Sequence, residues 1–370
     1  MADAPVGLFL SGGVDSTLLL AMLAEAGFTN FPAFSIANQA SERSFGSDDF
    51  HYSRLAAHQY GAKHVIFNID DSILNNFGQL IECMDQPIAD GAVVLTDFLS
   101  KQTHQSVKVA LSGAGADELF GGYNRHRAFY KYIRNRPLLL FAKPFLQGLA
   151  PALPTGFAHP LRKNFRLMRK LAFKIKADPE RTFRLFTAMD AELCHTLKPN
   201  IRKQEIRSEN LPSKKNEWLH WALNRDQHEY LISDILALTD QTSMRHSLEV
   251  RLPYLDNNLH NFITSLRPDL LFKFGQKWIL KELLNQHEGG VYLRRAKEGF
   301  GMPIGLWLRK PNNSWLLEPL RDRRQQIFNY LDFDNVQQLL LKHQKGKQDY
   351  SVEVWALITL AFWLQKHFPA

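Results

Sequence analysis

Cysteine is nearly absent: only Cys83 and Cys194 occur in 370 residues, singly and far apart. That excludes a zinc motif or a disulfide framework, fits a reducing compartment and leads us to expect a cytoplasmic protein. Long apolar runs are missing too. None approaches the ~18 residues that a membrane-spanning helix needs, so no membrane partner is expected. No basic region precedes the first apolar run after Met1-Ala2-Asp3-Ala4-Pro5, so this run is not read as a signal peptide. Internal repeats and low-complexity tracts are absent. Charge leans only mildly to one sign: 45 Lys and Arg against 37 Asp and Glu give a formal +8. Such a balance allows anionic ligands without identifying one. With 45% hydrophobic and 22% charged residues the chain is ordinary for a globular protein, long enough for one large or two medium domains.

What is present begins almost at once. The apolar run Val6 to Leu10 reads as a buried strand. Ser11, Gly12 and Gly13 break it, and a helical pattern runs from Leu18 through Ala26 to a stop at Gly27. Strand, glycine turn and helix together can hold phosphate. Glycines let backbone N–H groups approach the anion, and the helix start adds partial positive charge. No Gly-Lys-Ser/Thr follows, so this is not the Walker form. An ordinary tight strand-to-helix turn remains the plainer reading of these residues alone.

Phe31 to Ile36 and Lys63 to Ile69 read as further strands, with residues 38–49 as a polar loop and Asp49 to Tyr60 as a helix. Residues 73–84 and Val93 to Gln102 look helical, and Val107 to Leu111 is the next buried strand. Strands alternating with helices imply an α/β fold: a parallel sheet with helices on both faces. Ligands of such sheets sit at the carboxyl ends of the strands. A second glycine loop, Ser112 to Glu118, leaves the strand at Leu111. The two loops can face each other across a nucleotide, with Asp15 and Asp117 on opposite sides of its phosphates. Carboxylates beside a polyphosphate require a hard cation between them, hence Mg²⁺. Asp117 could equally be a helix N-cap, or serve in both ways.

From Tyr130 to about Leu231 the pattern turns helical, basic and aromatic. Leu161 to Lys176 interleaves seven basic residues with apolar ones. An amphipathic helix with a solvated basic side is preferred there over a nucleic-acid interface. Arg202, Lys203, Arg207, Lys214 and Lys215 read as exposed loop charges. We expect an α/β core over residues 1–130 and a helical part over 131–370 that completes the same domain. An insertion is placed at about 131–231 and site segments at about 240–256 and 294–303. In the first of these segments Glu249 and Arg251 would be semi-buried, and a structural ion pair is the plain alternative. Gly275 to Leu284 reads as an amphipathic helix with Lys277 and Lys281 on one face. The glycine-flanked basic loop Arg294 to Pro303 suits a lysine reaching into a site, or is a surface turn. Ser351 to Phe368 is a strongly apolar helix whose tryptophans read as core.

Taken together these segments resemble the synthetase domain of the asparagine synthetase family. Its pyrophosphate loop matches Ser11 to Ser16, and its second loop matches Leu111 to Tyr123 at all but one distinctive position. Ser243-Met244 with Ser247 to Asp256, and Lys297 to Gly301, match two further segments in the same order. The resemblance spans nearly the whole chain. It implies a PP-loop ATP-pyrophosphatase fold, similar to the adenine-nucleotide α-hydrolases, that uses ATP and Mg²⁺. A carboxylate would attack the α-phosphate, pyrophosphate would leave, and an amine would displace AMP from the acyl-adenylate. Ser11, Gly12, Gly13 and Ser16 would cradle pyrophosphate, while Leu10, Ile36, Ser112 and Gly113 would line the nucleoside pocket. Asp15 and Asp117 would hold Mg²⁺, and Lys297 would stabilise the transition state of amide formation.

Two departures qualify this transfer. The family's glutaminase domain does not precede the first loop here, so free ammonia, another amine or a separate glutaminase subunit is expected to supply nitrogen; a piece of a longer protein would look the same. Ala114 also stands where the family carries an acidic residue in the acyl-acceptor site. Alanine can neither accept a proton nor hydrogen-bond through its side chain. A small or peptidyl carboxylate other than aspartate is therefore expected, with Glu249 or Glu118 as candidate base. An RNA-modifying enzyme with the same loop and a non-catalytic partner subunit are the competing readings.

Overall fold

In the computed structural model, the described residues are 3–38, 49–150, 172–187, 196–198, 211–287, 290–294, 302–345 and 349–369, with Phe165, Met168 and Leu193. The Arg202, Lys203 and Arg207 charges, Cys194 and most of the basic stretch at 161–176 lie outside them. Two compact units are present: one from residues 1–84, 90–123 and 223–303, the other from 85–89, 124–222 and 304–370. The described residues of 223–303 fall in the same unit as the α/β core.

The first unit is built on five parallel strands in the order β3-β2-β1-β4-β5. These are β1 (Val6–Phe9), β2 (Pro32–Asn38), β3 (Lys63–Ile69), β4 (Val109–Leu111) and β5 (Glu249–Arg251). Helices α1 (Val14–Glu25), α2 (Asp49–Gln59), α3 (Phe77–Glu82), α4 (Ala92–Thr103) and α5 (Ala116–Phe120) follow the strands in turn. The expected helix at 73–84 opens instead as a 3₁₀ turn, Asp71–Asn76, whose N-cap Asp70 accepts from Ser72 N. Strand β5 escaped the sequence reading. At three residues it is too short to show a period, and only its pairing with β4 defines it.

Alternation along β2 sorts its residues between two faces. Phe34 and Ile36 join Leu99 of α4, Val107, Ala110 and Leu248 in one apolar cluster. Burying Phe34, fully enclosed, contributes about 2 kcal/mol to holding α4 on the sheet. Strand order reverses at β1: β2 and β3 lie to one side, β4 and β5 to the other. The carboxyl ends of β1 and β4 therefore flank a topological switch point, where ligands of such sheets bind.

The chain continues through α6 (Asn124–Leu149), α7 (Pro179–Thr187), α8 (Trp218–His228), α9 (Ala237–Met244), α10 (Asn257–Ser265), α11 (Trp278–Gln286), α12 (Ile304–Trp307), α13 (Phe333–Gln344) and α14 (Ser351–His367). Helix α6 is kinked at Asn135, just ahead of Pro137. The second unit has its own core, in which Phe129, Tyr132, Phe183 and Trp218 pack together. On α14, Trp355 is core as expected, whereas Trp363 is half-buried and stacks on His367. No described helix is long and apolar enough to cross a membrane.

Candidate active site

Between β1 and α1 the chain turns through Leu10-Ser11-Gly12-Gly13. Gly13 caps α1 with no side-chain hydrogen bond to the helix's first N–H groups, and its own N–H donates to Ser11 Oγ at 3.3 Å. Ser16 Oγ ties the turn together. It accepts from Ser11 N at 3.2 Å, lies 3.1 Å from Ser11 Oγ and donates to Gly13 O at 3.4 Å. Leu10 directly follows β1 with its side chain in the core. It is 1% exposed, its N–H donates to Phe34 O at 2.8 Å, and its carbonyl accepts from Ser35 Oγ at 2.5 Å. Ile36 sends its side chain into the cluster around Phe34.

Ser35 fixes a tautomer as well. Its single hydroxyl proton goes to the Leu10 carbonyl, which can only accept. The His64 ring, 2.7 Å away through Nε2, must then donate from that nitrogen. Burial, with help from the Arg54 charge, pulls the His64 pKa below its ordinary value, in keeping with a neutral ring.

The second loop meets the first directly. A Cβ on Gly113 would come within 3.0 Å of Asp15 Cβ and 3.2 Å of Ser16 N, so any side chain there would crowd the first loop. Ser112 N donates to Arg251 O, which ties the loop to β5. Ala114 N donates to Ser112 Oγ at 3.3 Å. Tyr254 pins the first loop from the other side, donating its hydroxyl to Asp15 O at 2.9 Å. Glu118 is 1% exposed and accepts from the Tyr123 hydroxyl at 2.5 Å. Burial pushes its pKa up, against the Tyr123 hydrogen bond.

Asp15 and Asp117 are brought together, and Lys277 lies between them. Its Nζ is 2.5 Å from Asp15 Oδ2 and 2.7 Å from Asp117 Oδ1. Lys277 is 6% exposed. Burial alone would lower its pKa, but the two carboxylates outweigh that and raise it. The helix expected from Gly275 in fact starts at Trp278, with Lys277 as its N-cap rather than a residue sharing a helix face with Lys281. Gln276 Nε2 donates to Gly122 O at 2.7 Å, and Trp278 Nε1 donates to Leu270 O. Together these fix the turn that aims Lys277 inward. Sequence reasoning missed this residue. The available signal was that a lysine at a helix start opposes the macrodipole and so needs carboxylate partners.

Two carboxylates converging on one cation supply hard oxygen donors of the kind Mg²⁺ takes. Among the described residues no group of three or more His, Cys, Asp or Glu is placed to hold a metal. The pair fits an ion that completes its shell from water and phosphate oxygens. Glu249 requires correction. Rather than semi-buried, it is exposed on the edge strand β5 and paired with Arg251 at 2.7 Å, and that partner lowers its pKa. Its register neighbour is Val109, at the start of β4, so it is not gathered with the loops at the strands' carboxyl ends. Lys297 lies outside the described residues.

Comparison with known proteins agrees with this architecture. The chain is 26% identical over 369 residues to asparagine synthetase [glutamine-hydrolyzing] 1 of Bacillus subtilis, covering 98% of the chain and 56% of that relative. It is 28% identical over 373 residues to a putative asparagine synthetase [glutamine-hydrolyzing] of Mycobacterium bovis, covering 98% and 54%. An amidase of Penicillium rubens is 22% identical over 382 residues, covering 92% and 56%. The chain thus spans about half the length of these curated relatives. Residues 1–365 match the family described as asparagine synthase, and the chain belongs to that family.

Proposed function

We propose that this chain is an ATP-dependent, AMP-forming amide ligase. The observation that carries the reading is the meeting of two strand-end loops at the switch point, with Asp15 and Asp117 converging on one cation position. In the first step a carboxylate oxygen of the substrate attacks the α-phosphorus of ATP. The bond from that phosphorus to the bridging oxygen breaks and pyrophosphate leaves. In the second step an amine nitrogen attacks the acyl carbon, the bond to AMP breaks and the amine gives up a proton.

The turn at Ser11 to Ser16 binds the departing pyrophosphate through backbone N–H groups at the start of α1. Ser112 and Gly113 close the nucleotide from the second loop. Asp15 and Asp117 hold Mg²⁺, which neutralises the leaving group. Lys277 adds a positive charge close to where phosphate charge develops. Lys297 takes the carbonyl oxygen in the second step, a role resting on the match of its segment to the family. Ala114 in the second loop favours an acid other than aspartate. The nitrogen comes from ammonia or another amine, delivered free or by a separate glutaminase subunit.

A screen of candidate acids tests the reading, with Mg²⁺ and ATP present and pyrophosphate release as the signal. Release with one class of acid, followed by AMP and amide on adding ammonium, is the expected result. Binding of ATP without release for any acid would favour a non-catalytic partner subunit. Glutamine supporting turnover only after a second protein is added would identify the nitrogen source.

A further inference from the structure

A lysine ammonium occupies the very position where the carboxylate pair would receive a divalent ion. Mg²⁺ needs its oxygen ligands at ~2.0–2.1 Å in near-octahedral array, whereas Asp15 Oδ2 and Asp117 Oδ1 both point at Lys277 Nζ at 2.5 and 2.7 Å. Ammonium and metal cannot share that point. The arrangement is built rather than incidental. Lys277 adopts φ 53°, ψ 29°, a left-handed conformation that a side-chain-bearing residue holds only when its surroundings impose it. Gly122 presses on the pair from above: a Cβ there would lie 1.8 Å from Asp117 Oδ1 and 2.1 Å from Lys277 Cε. At 6% exposure, the lysine is buried against its two carboxylate partners.

We infer that Lys277 is the resting counter-ion of the Asp15–Asp117 pair, excluding a divalent cation until a pyrophosphate group in the Ser11–Ser16 turn draws the ammonium away. The inference rests on the proposed metal role of the two aspartates. Phosphate oxygens are the strong acceptors that can take over an ammonium held by two carboxylates. When the ammonium turns to them, an oxygen of each aspartate is released for the metal. Metal and polyphosphate then bind as one unit, and each raises the other's affinity by the same factor. The device keeps two neighbouring carboxylates from repelling each other in the empty site, and it spares the enzyme from trapping a metal ion without substrate.

The experiment uses Mn²⁺ as probe, followed by loss of its free paramagnetic resonance signal, on the whole chain. Wild type should take up Mn²⁺ weakly alone and strongly with inorganic pyrophosphate. Lys277→Gln should bind Mn²⁺ alone about tenfold more tightly than wild type and should lose most of the coupling to pyrophosphate. Lys277→Arg, which keeps the charge, should stay closed to Mn²⁺ alone. Equal Mn²⁺ affinity of wild type and Lys277→Gln without pyrophosphate would overturn the inference while leaving the metal reading intact. Should Lys277→Gln fail to fold, wild type still decides: tight Mn²⁺ uptake without pyrophosphate, lost in Asp15→Asn, overturns it. No Mn²⁺ uptake by wild type even with pyrophosphate would remove the metal reading and this inference together.

Discussion

A Cβ built on Gly122 would lie 1.8 Å from Asp117 Oδ1, so the glycine's bare edge and the carboxylate share one space. The short helix α5 and its following turn bring this about: Gly122 N donates to Asp117 O at 2.8 Å and folds the chain back over its own aspartate. Gly122→Ala must displace either Asp117 or Lys277. Overpacking of this kind costs about 2 kcal/mol, which urea unfolding would read. Pyrophosphate release should fall further than stability does, because the displaced group is an aspartate proposed to hold the metal. Wild-type stability together with wild-type release would contradict the packing.

The His64 ring gives a pH dependence of known sign. Its pKa lies below the ordinary 6.5 in the folded chain and at the ordinary value when unfolded. Below pH 6.5 the unfolded state therefore binds more protons, and stability falls with pH until the folded value is passed. Above that window the contribution is fully present. His343, also lowered mainly by burial, acts in the same direction, so His64 accounts for part of the effect. Thermal melts of wild type and His64→Asn should show their gap narrowing from pH 7.5 to pH 5. A constant gap would mean that burial and the Arg54 charge do not hold His64 below its ordinary pKa.

Glu249 offers a contrast. It is exposed, and its ion-pair partner Arg251 is two residues away on the same edge strand. Surface pairs of this kind contribute little. Glu249→Gln should leave both the melting temperature and pyrophosphate release unchanged within error. A large loss of release would restore the catalytic role first expected for it.

Strong local patterns made much of the fold legible. β3 was expected over Lys63 to Ile69, and the structure has it over the same residues. The glycine loops announce themselves in the sequence, and in the second a Cβ at Gly115, Gly121 or Gly122 would fall under 3.0 Å from a neighbour. Lys277 and β5 were hidden for a shared reason: both are defined by partners far along the chain. Lys277 acquires meaning only from carboxylates 262 and 160 residues earlier, and β5 only from its ladder to β4. Glu249 was misjudged because a charged residue between apolar neighbours reads alike on a central strand and on an edge strand. Edge position is a property of the sheet, which no local window contains.

Asp117 and Lys297 should separate the two chemical steps. Asp117 is proposed to hold the metal that neutralises the leaving pyrophosphate, so Asp117→Ala should abolish release altogether. It also removes one of the two partners of the buried Lys277, so its fold must be checked by melting. Lys297 is assigned to the carbonyl oxygen of the second step. Losing one such stabilising donor costs about 10²–10³ in rate, and the loss should fall on amide formation. With Lys297→Ala, pyrophosphate should still be released in a burst equal to the enzyme present, followed by slow amide production. Adding more ammonium should not restore the rate, because the missing group stabilises the transition state rather than binding the amine. Equal slowing of burst and product would place Lys297 in the first step, beside Lys277.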